Sequence, residues 1–265
     1  MGLRVRCMEI AVCIKQALDI SLLKVDVDPK TFESLIRVTP MKMSDIDRNA
    51  LEEALRIREK HGGRVTAISV GGDKAKEVLR EALAMGADDA IHVLNDVGEI
   101  DEHVISEALA ETLKMKGPFQ IILCGEMSID KHTAQVGVRV AEKLGIPCIT
   151  YARNISIEGG EVVAERDLED RIEVVKAKMP TLITVTREIN TPRLPQLIAI
   201  LRAAKKPIET LNLSRLKVDL KPKLKTLSAR GVEVKRKGVV IKDLPVDKAV
   251  DELINNLIRE GIIKR

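Results

Sequence analysis

A chain of 265 residues that is 45% hydrophobic and 32% charged can bury a sizeable core under a solvated surface, and its length suits one large α/β domain with an appendage. Aromatic residues are nearly absent, with no Trp, one Tyr and two Phe, which argues against a stacking platform for single-stranded nucleic acid. The core is left to Ile, Leu, Val, Ala and Met, a Lys/Glu/Arg-rich, aromatic-poor balance that thermophiles also show.

Cys7, Cys13, Cys124 and Cys148 form no Cys-x-x-Cys pair, so neither a zinc site nor an iron–sulfur cluster is signalled. Cys13 and Cys124 fall in apolar runs and read as small buried hydrophobes of a reducing compartment. No stretch reaches the ~20 apolar residues of a membrane span, and MGLRVRC lacks the apolar centre of a signal peptide; the expectation is a cytoplasmic protein with no direct membrane insertion. Because Met8 opens the first strand-like run, residues 1–7 read as an N-terminal extension.

From Met8 to about Thr186, short β-branched runs alternate with longer amphipathic stretches, the pattern of a parallel sheet flanked by helices. Strands are predicted at 8–14, 64–70, 90–94, 119–124 and 181–186, each short and apolar as buried parallel strands are. The first helix begins at Ser44 or Asp45 and stops at Gly62-Gly63, an N-cap and a glycine stop. Helices follow at 73–85, 101–115 and 131–144, ended by Gly86, Gly117 and Gly145. After Tyr151, Gly159-Gly160 separates two alternating runs, which reads as an antiparallel hairpin with a further strand behind it. A short helix at 197–204 and a terminal helix at 247–265 flank a segment of little apolar periodicity. The domain limits read from this are 8–204 for the α/β domain and 205–265 for a C-terminal arm. Residues 202–238 hold 12 Lys/Arg against 3 Asp/Glu; that basic arm can be a solvated segment, a nucleic-acid footprint or a docking arm for an acidic partner.

Catalytic motifs are missing: there is no Gly-x-Ser-x-Gly, Walker loop, His-Glu-x-x-His or strand-linked Gly-x-Gly-x-x-Gly. No catalytic residue and no metal ligand is assigned, and His61, His92, His103 and His132 show no ligand spacing. In an open α/β sheet, ligands bind outside the C-terminal ends of the strands. Those ends are Lys15, the segment Val70-Gly71-Gly72, and CGEMSIDKHTAQVG at 124–137. The third carries the best case: Gly125 permits close backbone approach, Ser128, Asp130 and Thr133 offer polar groups, and a beginning helix has free N–H groups for a phosphate. A capped loop with no ligand is the alternative.

At these residues the chain resembles the electron transfer flavoprotein beta family. The run NALEEALRIREKHGGRVTAISVGGDKAKEVLREALAMGADDAIHV, residues 49–93, resembles it nearly throughout, and AVCIKQALD, CGEMSIDKHTAQVG, AERDLEDRIEVVKAKMPTLITV and TPRLPQLIAILRAAKKPIE are further matches in the family's order. The resemblance implies a three-layer α/β/α, Rossmann-like core of the adenine nucleotide alpha hydrolase-like kind. It implies a heterodimer whose larger alpha subunit carries the electron-shuttling FAD. The beta subunit would hold AMP in simple members or a second FAD in bifurcating ones. Nucleotide contacts would fall on Cys13; on Ser44, Asp45, Ile46 and Asp47; on Val70; on Glu126, Met127, Ser128, Ile129, Asp130 and Lys131; and on Thr133, Ala134, Gln135, Val136 and Gly137. Leu197, flanked by Pro195 and Ile198, would present an apolar anchor to partner dehydrogenases, and the arm would wrap the alpha subunit. Electrons would pass from acyl-CoA or other dehydrogenases, or from NADH, to a membrane quinone reductase or another acceptor.

Departures stand at Ser44-Asp45, where the family usually has Asn-Pro, at Lys131-His132, where an acidic or Gly-Asp turn is usual, and at Asp170-Arg171 in place of Gly-Gly. Lys131 and His132 replace an acidic turn by a basic one, which either favours a diphosphate or changes only how the loop is held, and TAQVG followed by AEKLGIPCITYA looks more like the bifurcating members. A stand-alone adenine-nucleotide sensor or hydrolase on the same core, and a nucleic-acid-binding protein using the basic arm, are the competing readings.

Overall fold

The computed structural model describes residues 8–22, 25–28, 31, 34–36, 40–228 and 237–264; the N-terminal extension at 1–7 and the middle of the basic arm lie outside them. The chain divides into two compact units, Met1–Asp26 with Ile36–Ser228, and Val27–Leu35 with Ala229–Arg265.

In chain order, β1 (Glu9–Cys13) leads to β2 (Gln16–Leu18), β3 (Val25–Val27), β4 (Ser34–Ile36) and β5 (Met41–Met43). β2 pairs antiparallel with β5, and β3 with β4 makes a second two-stranded sheet. Then come α1 (Asp45–His61), β6 (Arg64–Gly71), α2 (Lys76–Met85), β7 (Asp89–Leu94), α3 (Glu102–Lys116), β8 (Ile121–Gly125) and α4 (Val136–Leu144). β9 (Cys148–Glu158), β10 (Glu161–Leu168), β11 (Arg171–Lys178), β12 (Thr181–Val185), α5 (Leu197–Ala203), β13 (Glu209–Asn212) and α6 (Val246–Arg259) complete it.

The main sheet has nine strands in the order β11-β10-β9-β12-β8-β1-β6-β7-β13. From β9 to β13 every pairing is parallel; β10 and β11 add an antiparallel hairpin at the edge. Alternation along the strands sends side chains to opposite faces. Ile10, Val12, Ile121, Leu123 and Ile183 pack with Leu51, Leu55, Val78 and Leu79 of α1 and α2, whereas Ala11, Cys13, Ile122, Cys124 and Leu182 pack with Val104, Leu109, Val140 and Ala141 of α3 and α4. The result is a three-layer α/β/α, Rossmann-like domain. α6 lies in the second unit, where Lys237 pairs with Glu260, and no helix among the described residues is long and apolar enough to cross a membrane.

Two sequence expectations change. The helix expected from residue 131 starts at Val136, because His132 and Ala134 take left-handed backbone angles (φ 51° and 52°) that no right-handed helix can contain. β13 lies beyond residue 204, where the sequence reading ended the α/β domain: Glu209–Asn212 pairs in parallel with Ile91–Leu94 of β7.

The turn from α1 into β6 depends on glycine. Gly62 (φ 75°) closes the helix by donating its N–H to Arg58 O, and at Gly63 (φ 124°) a Cβ would stand 2.0 Å from Met8 O. Gly63→Ala should therefore displace the start of β1 and destabilise the protein by at least about 2 kcal/mol. Gly62→Ala meets nothing within 4 Å of its added Cβ, but its backbone (φ 75°, ψ 168°) lies where almost only glycine goes, so it should cost about 1–3 kcal/mol, less than Gly63→Ala, which adds the clash; equal losses in urea unfolding would contradict this reading of the turn.

Candidate functional site

β1 and β8 are neighbours in the sheet, yet the helices that follow them, α1 and α4, cover opposite faces. This is a topological switch point, where an open parallel sheet leaves a crevice beyond its strand ends. Cys13 and Cys124 are register partners there. Asp47, in the first turn of α1, spans the fork: one carboxylate oxygen accepts the Lys15 N–H at 2.9 Å and the other the Gly125 N–H at 2.9 Å. Position 125 has to be glycine, since a Cβ there would lie 2.7 Å from Asp47 Oδ1 and 3.0 Å from Ile46 Cγ2.

Above this fork lies a cavity of about 350 Å³, at the small end of the roughly 300–1,000 Å³ of ligand sites. The end of β1 supplies Cys13 and Lys15, the end of β6 supplies Val70 to Gly72, and α3 supplies Glu102, Ile105 and Leu109. The loop after β8 contributes Glu126, Met127, Ser128, Lys131, Thr133, Ala134 and Gln135, and α4 contributes Val136 and Gly137. Of the residues singled out in the sequence, those together with Asp47 meet at one wall. Ser44, Asp45, Ile46, Ile129 and Asp130 do not line it. Ser44 is fully buried with its hydroxyl unpartnered, Ile46 and Ile129 are buried apolar residues, and Asp45 pairs with Lys42 and Arg48. Asp130 stands behind Lys15, 2.6 Å from its Nζ, while Ser128 Oγ accepts from the same ammonium at 3.2 Å.

Gln135 precedes α4 without making a side-chain cap, because its Oε1 accepts from Arg139 Nε at 3.1 Å and Nη2 at 2.8 Å. The first N–H groups of α4 are therefore left without a side-chain cap at Val136 and Gly137, which line the cavity, and free helix-start N–H groups are what takes an anion. Gly137 lets that turn approach the sheet: a Cβ would fall 2.7 Å from Thr184 Cγ2 and 2.8 Å from Cys124 Sγ.

Burial governs the titrating groups. It pushes the Asp47 carboxyl up to about 7 against the N–H bonds from Gly125 and Lys15 and the Lys15 charge, with Asp130 adding to the rise. Burial, then Asp47, pushes the Cys13 thiol up to about 12, and burial, then Cys13 and Asp47, raises Cys124 as well; both are neutral thiols rather than nucleophilic thiolates. Burial also raises Asp130, but the bonds from Lys15 and Ser128 outweigh it and hold that carboxyl below the usual range. Burial lifts Glu126, with help from Glu188 and Asp167.

Sequence reasoning noted Lys15 and Gly71-Gly72 only as strand ends, and it missed the α3 residues altogether; Ile105 and Leu109 carry no local signal, since they reach the cavity from a helix that precedes β8. Leu197 is 72% exposed at the start of α5, in a patch with Leu194, Ile198 and Leu201.

The family model described as "Electron transfer flavoprotein domain" matches residues 34–216. "Electron transfer flavoprotein subunit beta" of Thermoanaerobacterium thermosaccharolyticum is 40% identical over 258 residues, 96% of this chain and 95% of that protein. The subunit of the same name from Clostridium acetobutylicum is 37% identical, over 97% of this chain and all of that protein. The chain belongs to the electron transfer flavoprotein beta-subunit family. "Caffeyl-CoA reductase-Etf complex subunit CarD" of Acetobacterium woodii is also similar, 34% identical over 97% of this chain and 100% of that protein. Asp47, Val70, the 126–137 loop and Leu197 all fall inside the electron transfer flavoprotein match, and Cys13 and Lys15 precede it.

The folded chain holds the Asp47 proton more tightly than the unfolded chain, with a pKa of about 7 against about 4 unfolded. That stabilisation is complete below the unfolded value and lost as pH rises through about 7. Asp47→Asn should remove this slope between pH 4 and 7. Because an amide accepts only one of the two N–H groups, it should also destabilise the protein by about 1–3 kcal/mol; unfolding by urea across that pH range measures both.

Proposed function

We propose that this chain is the beta subunit of a heterodimeric electron transfer flavoprotein that holds an adenine nucleotide in the cavity at the ends of β1 and β8. The alpha subunit of the pair carries the electron-shuttling FAD. One observation carries the reading: an uncapped helix start, packed close to the sheet by Gly137, meets the Asp47-closed fork in a cavity with an apolar wall. The free N–H groups of α4 suit a phosphate, while Val70, Ile105, Leu109 and Val136 suit a base and sugar.

Lys131 on that wall, 54% exposed in its side chain and only 3.7 Å from the Glu102 carboxylate, adds a cation that favours a diphosphate. With the TAQVG and AEKLGIPCITYA segments, this favours FAD in this subunit, as in a bifurcating complex, over AMP. Flavin supplies the redox chemistry when bound, and protein supplies position and electrostatics. The residues here bind, orient and exclude water; with neutral thiols at Cys13 and Cys124, no side chain of the cavity is needed as a nucleophile. Acyl-CoA or other dehydrogenases, or NADH, are the donors, a membrane quinone reductase or another oxidant is the acceptor, and the cytoplasm is the compartment. Leu197 and its apolar neighbours form the dehydrogenase contact.

Co-expression with the alpha subunit, release of cofactors by denaturation and a count per heterodimer test this reading. Two FAD and no AMP are expected; one FAD with one AMP would make the complex a simple shuttle, and no flavin-containing complex at all would defeat the proposal.

A further inference from the structure

The apolar patch that begins at Leu194 is held on a short segment, and the way that segment is tethered is unusual in its chemistry. Between β12 and α5 the chain runs through Arg187–Ile189, a single 3-10 turn, and then seven residues without regular structure up to Gln196. A stretch of this kind has few backbone partners of its own and needs others to order it. Here they come from one face of α1.

Arg193 places its guanidinium between two carboxylates of α1. Nε donates to Glu52 Oε2 at 2.8 Å and Nη2 to Glu52 Oε1 at 3.1 Å; Nη1 donates to Glu59 Oε1 at 2.5 Å and Nη2 to Glu59 Oε2 at 3.1 Å. The Arg193 backbone N–H also donates to Glu52 Oε2, at 3.1 Å. Three residues earlier, Asn190 Nδ2 donates to Asn49 O at 3.1 Å and to Glu53 Oε2 at 3.0 Å, and Asn49 Nδ2 returns a bond to Asn190 O at 2.8 Å. Glu52, Glu53 and Asn49 are all buried. Carboxylates are seldom buried without a partner, and a bidentate fork is the geometry that only arginine offers.

Immediately after this tether the chain turns apolar and exposed: Leu194 is 87%, Leu197 72% and Leu201 61% accessible. Arg202 and Lys205 follow, both exposed. Isolated exposed leucines need no explanation, but a contiguous set does. Its complement is an apolar pocket with an acidic rim on a dehydrogenase.

We propose that Arg193, clamped between Glu52 and Glu59, is a positioning residue for dehydrogenase docking: it fixes the lead-in at residues 190–193 against α1, so that the Leu194–Leu201 patch, whose helix α5 packs on α2 with Ala203 O held by Arg80, is presented in one orientation before the partner arrives. Binding then avoids the cost of ordering the segment. The inference rests on the reading of the Leu197 patch as the dehydrogenase contact, and the test separates the two.

The test uses the intact heterodimer with an acyl-CoA dehydrogenase from the same cells as electron donor. Arg193→Met should raise the KM for the dehydrogenase roughly tenfold, the factor that about 1.4 kcal/mol of binding free energy represents, with kcat and cofactor content unchanged. Amide hydrogen exchange should accelerate in residues 187–196 and not elsewhere, since α5 is held separately by α2. Arg193→Lys keeps the charge but cannot fork, and should stay impaired. Glu59→Gln, which leaves the Glu52 contacts in place, serves if Arg193→Met does not fold, and should give a smaller rise in KM with the same local exchange. An unchanged KM in Arg193→Met or, should it not fold, in Glu59→Gln, or a wild-type KM in Arg193→Lys, overturns the proposal. Leu197→Ala in the same assay judges the contact itself. If it leaves KM unchanged, the docking reading falls and takes the clamp with it; if it raises KM while the Arg193 variants do not, only the clamp falls.

Discussion

The carboxylate of Asp47 between two backbone N–H groups is the constraint on which the cavity depends. At the switch point, β1 and β8 run out side by side and their following helices leave for opposite faces, so the N–H groups of Lys15 and Gly125 need partners that the strand ladder does not supply. Asp47 meets both at 2.9 Å. The arrangement costs desolvation, visible in a carboxyl pushed up to about 7, and is offset by two charge-assisted bonds. It also dictates Gly125, because any side chain there would displace the carboxylate.

The same helix that carries Asp47 carries the tether of the apolar patch. One turn further along α1, Asn49, Glu52 and Glu53 face the 187–193 segment, and Glu59 near its end completes the fork around Arg193. α1 is thus buried against the sheet through Leu51, Ala54 and Leu55 while two other parts of its surface border the cavity and hold the 187–193 segment. A rigid element packed this well is a suitable support for both, since the position of each polar group is inherited from apolar packing rather than from loop conformation.

Much of the fold was legible because its signals are local. Short apolar runs marked the five strands β1, β6, β7, β8 and β12, and Gly159-Gly160 marked the turn between β9 and β10. Where local signals conflicted with backbone angles, the reading erred: 131–135 has helix-compatible side chains, yet His132 and Ala134 sit at positive φ. β13 escaped because four residues, Glu209–Asn212, show no alternation, and their strand character comes from pairing with β7 far earlier in the chain. The short strands β2 to β5 gave no periodicity to follow.

The sequence by itself determined the alternation of strands and helices, the glycine stops, the composition of the core and the family, because each is written in contiguous residues whose preferences act over a few positions. Only the tertiary structure decided which strand ends adjoin, that Asp47 rather than Ser44 or Asp45 reaches the cavity, that α3 supplies part of its wall, and that Arg193 finds two carboxylates more than 130 positions away. Those outcomes depend on crossovers and packing between distant segments, where proximity in space owes nothing to proximity in the chain.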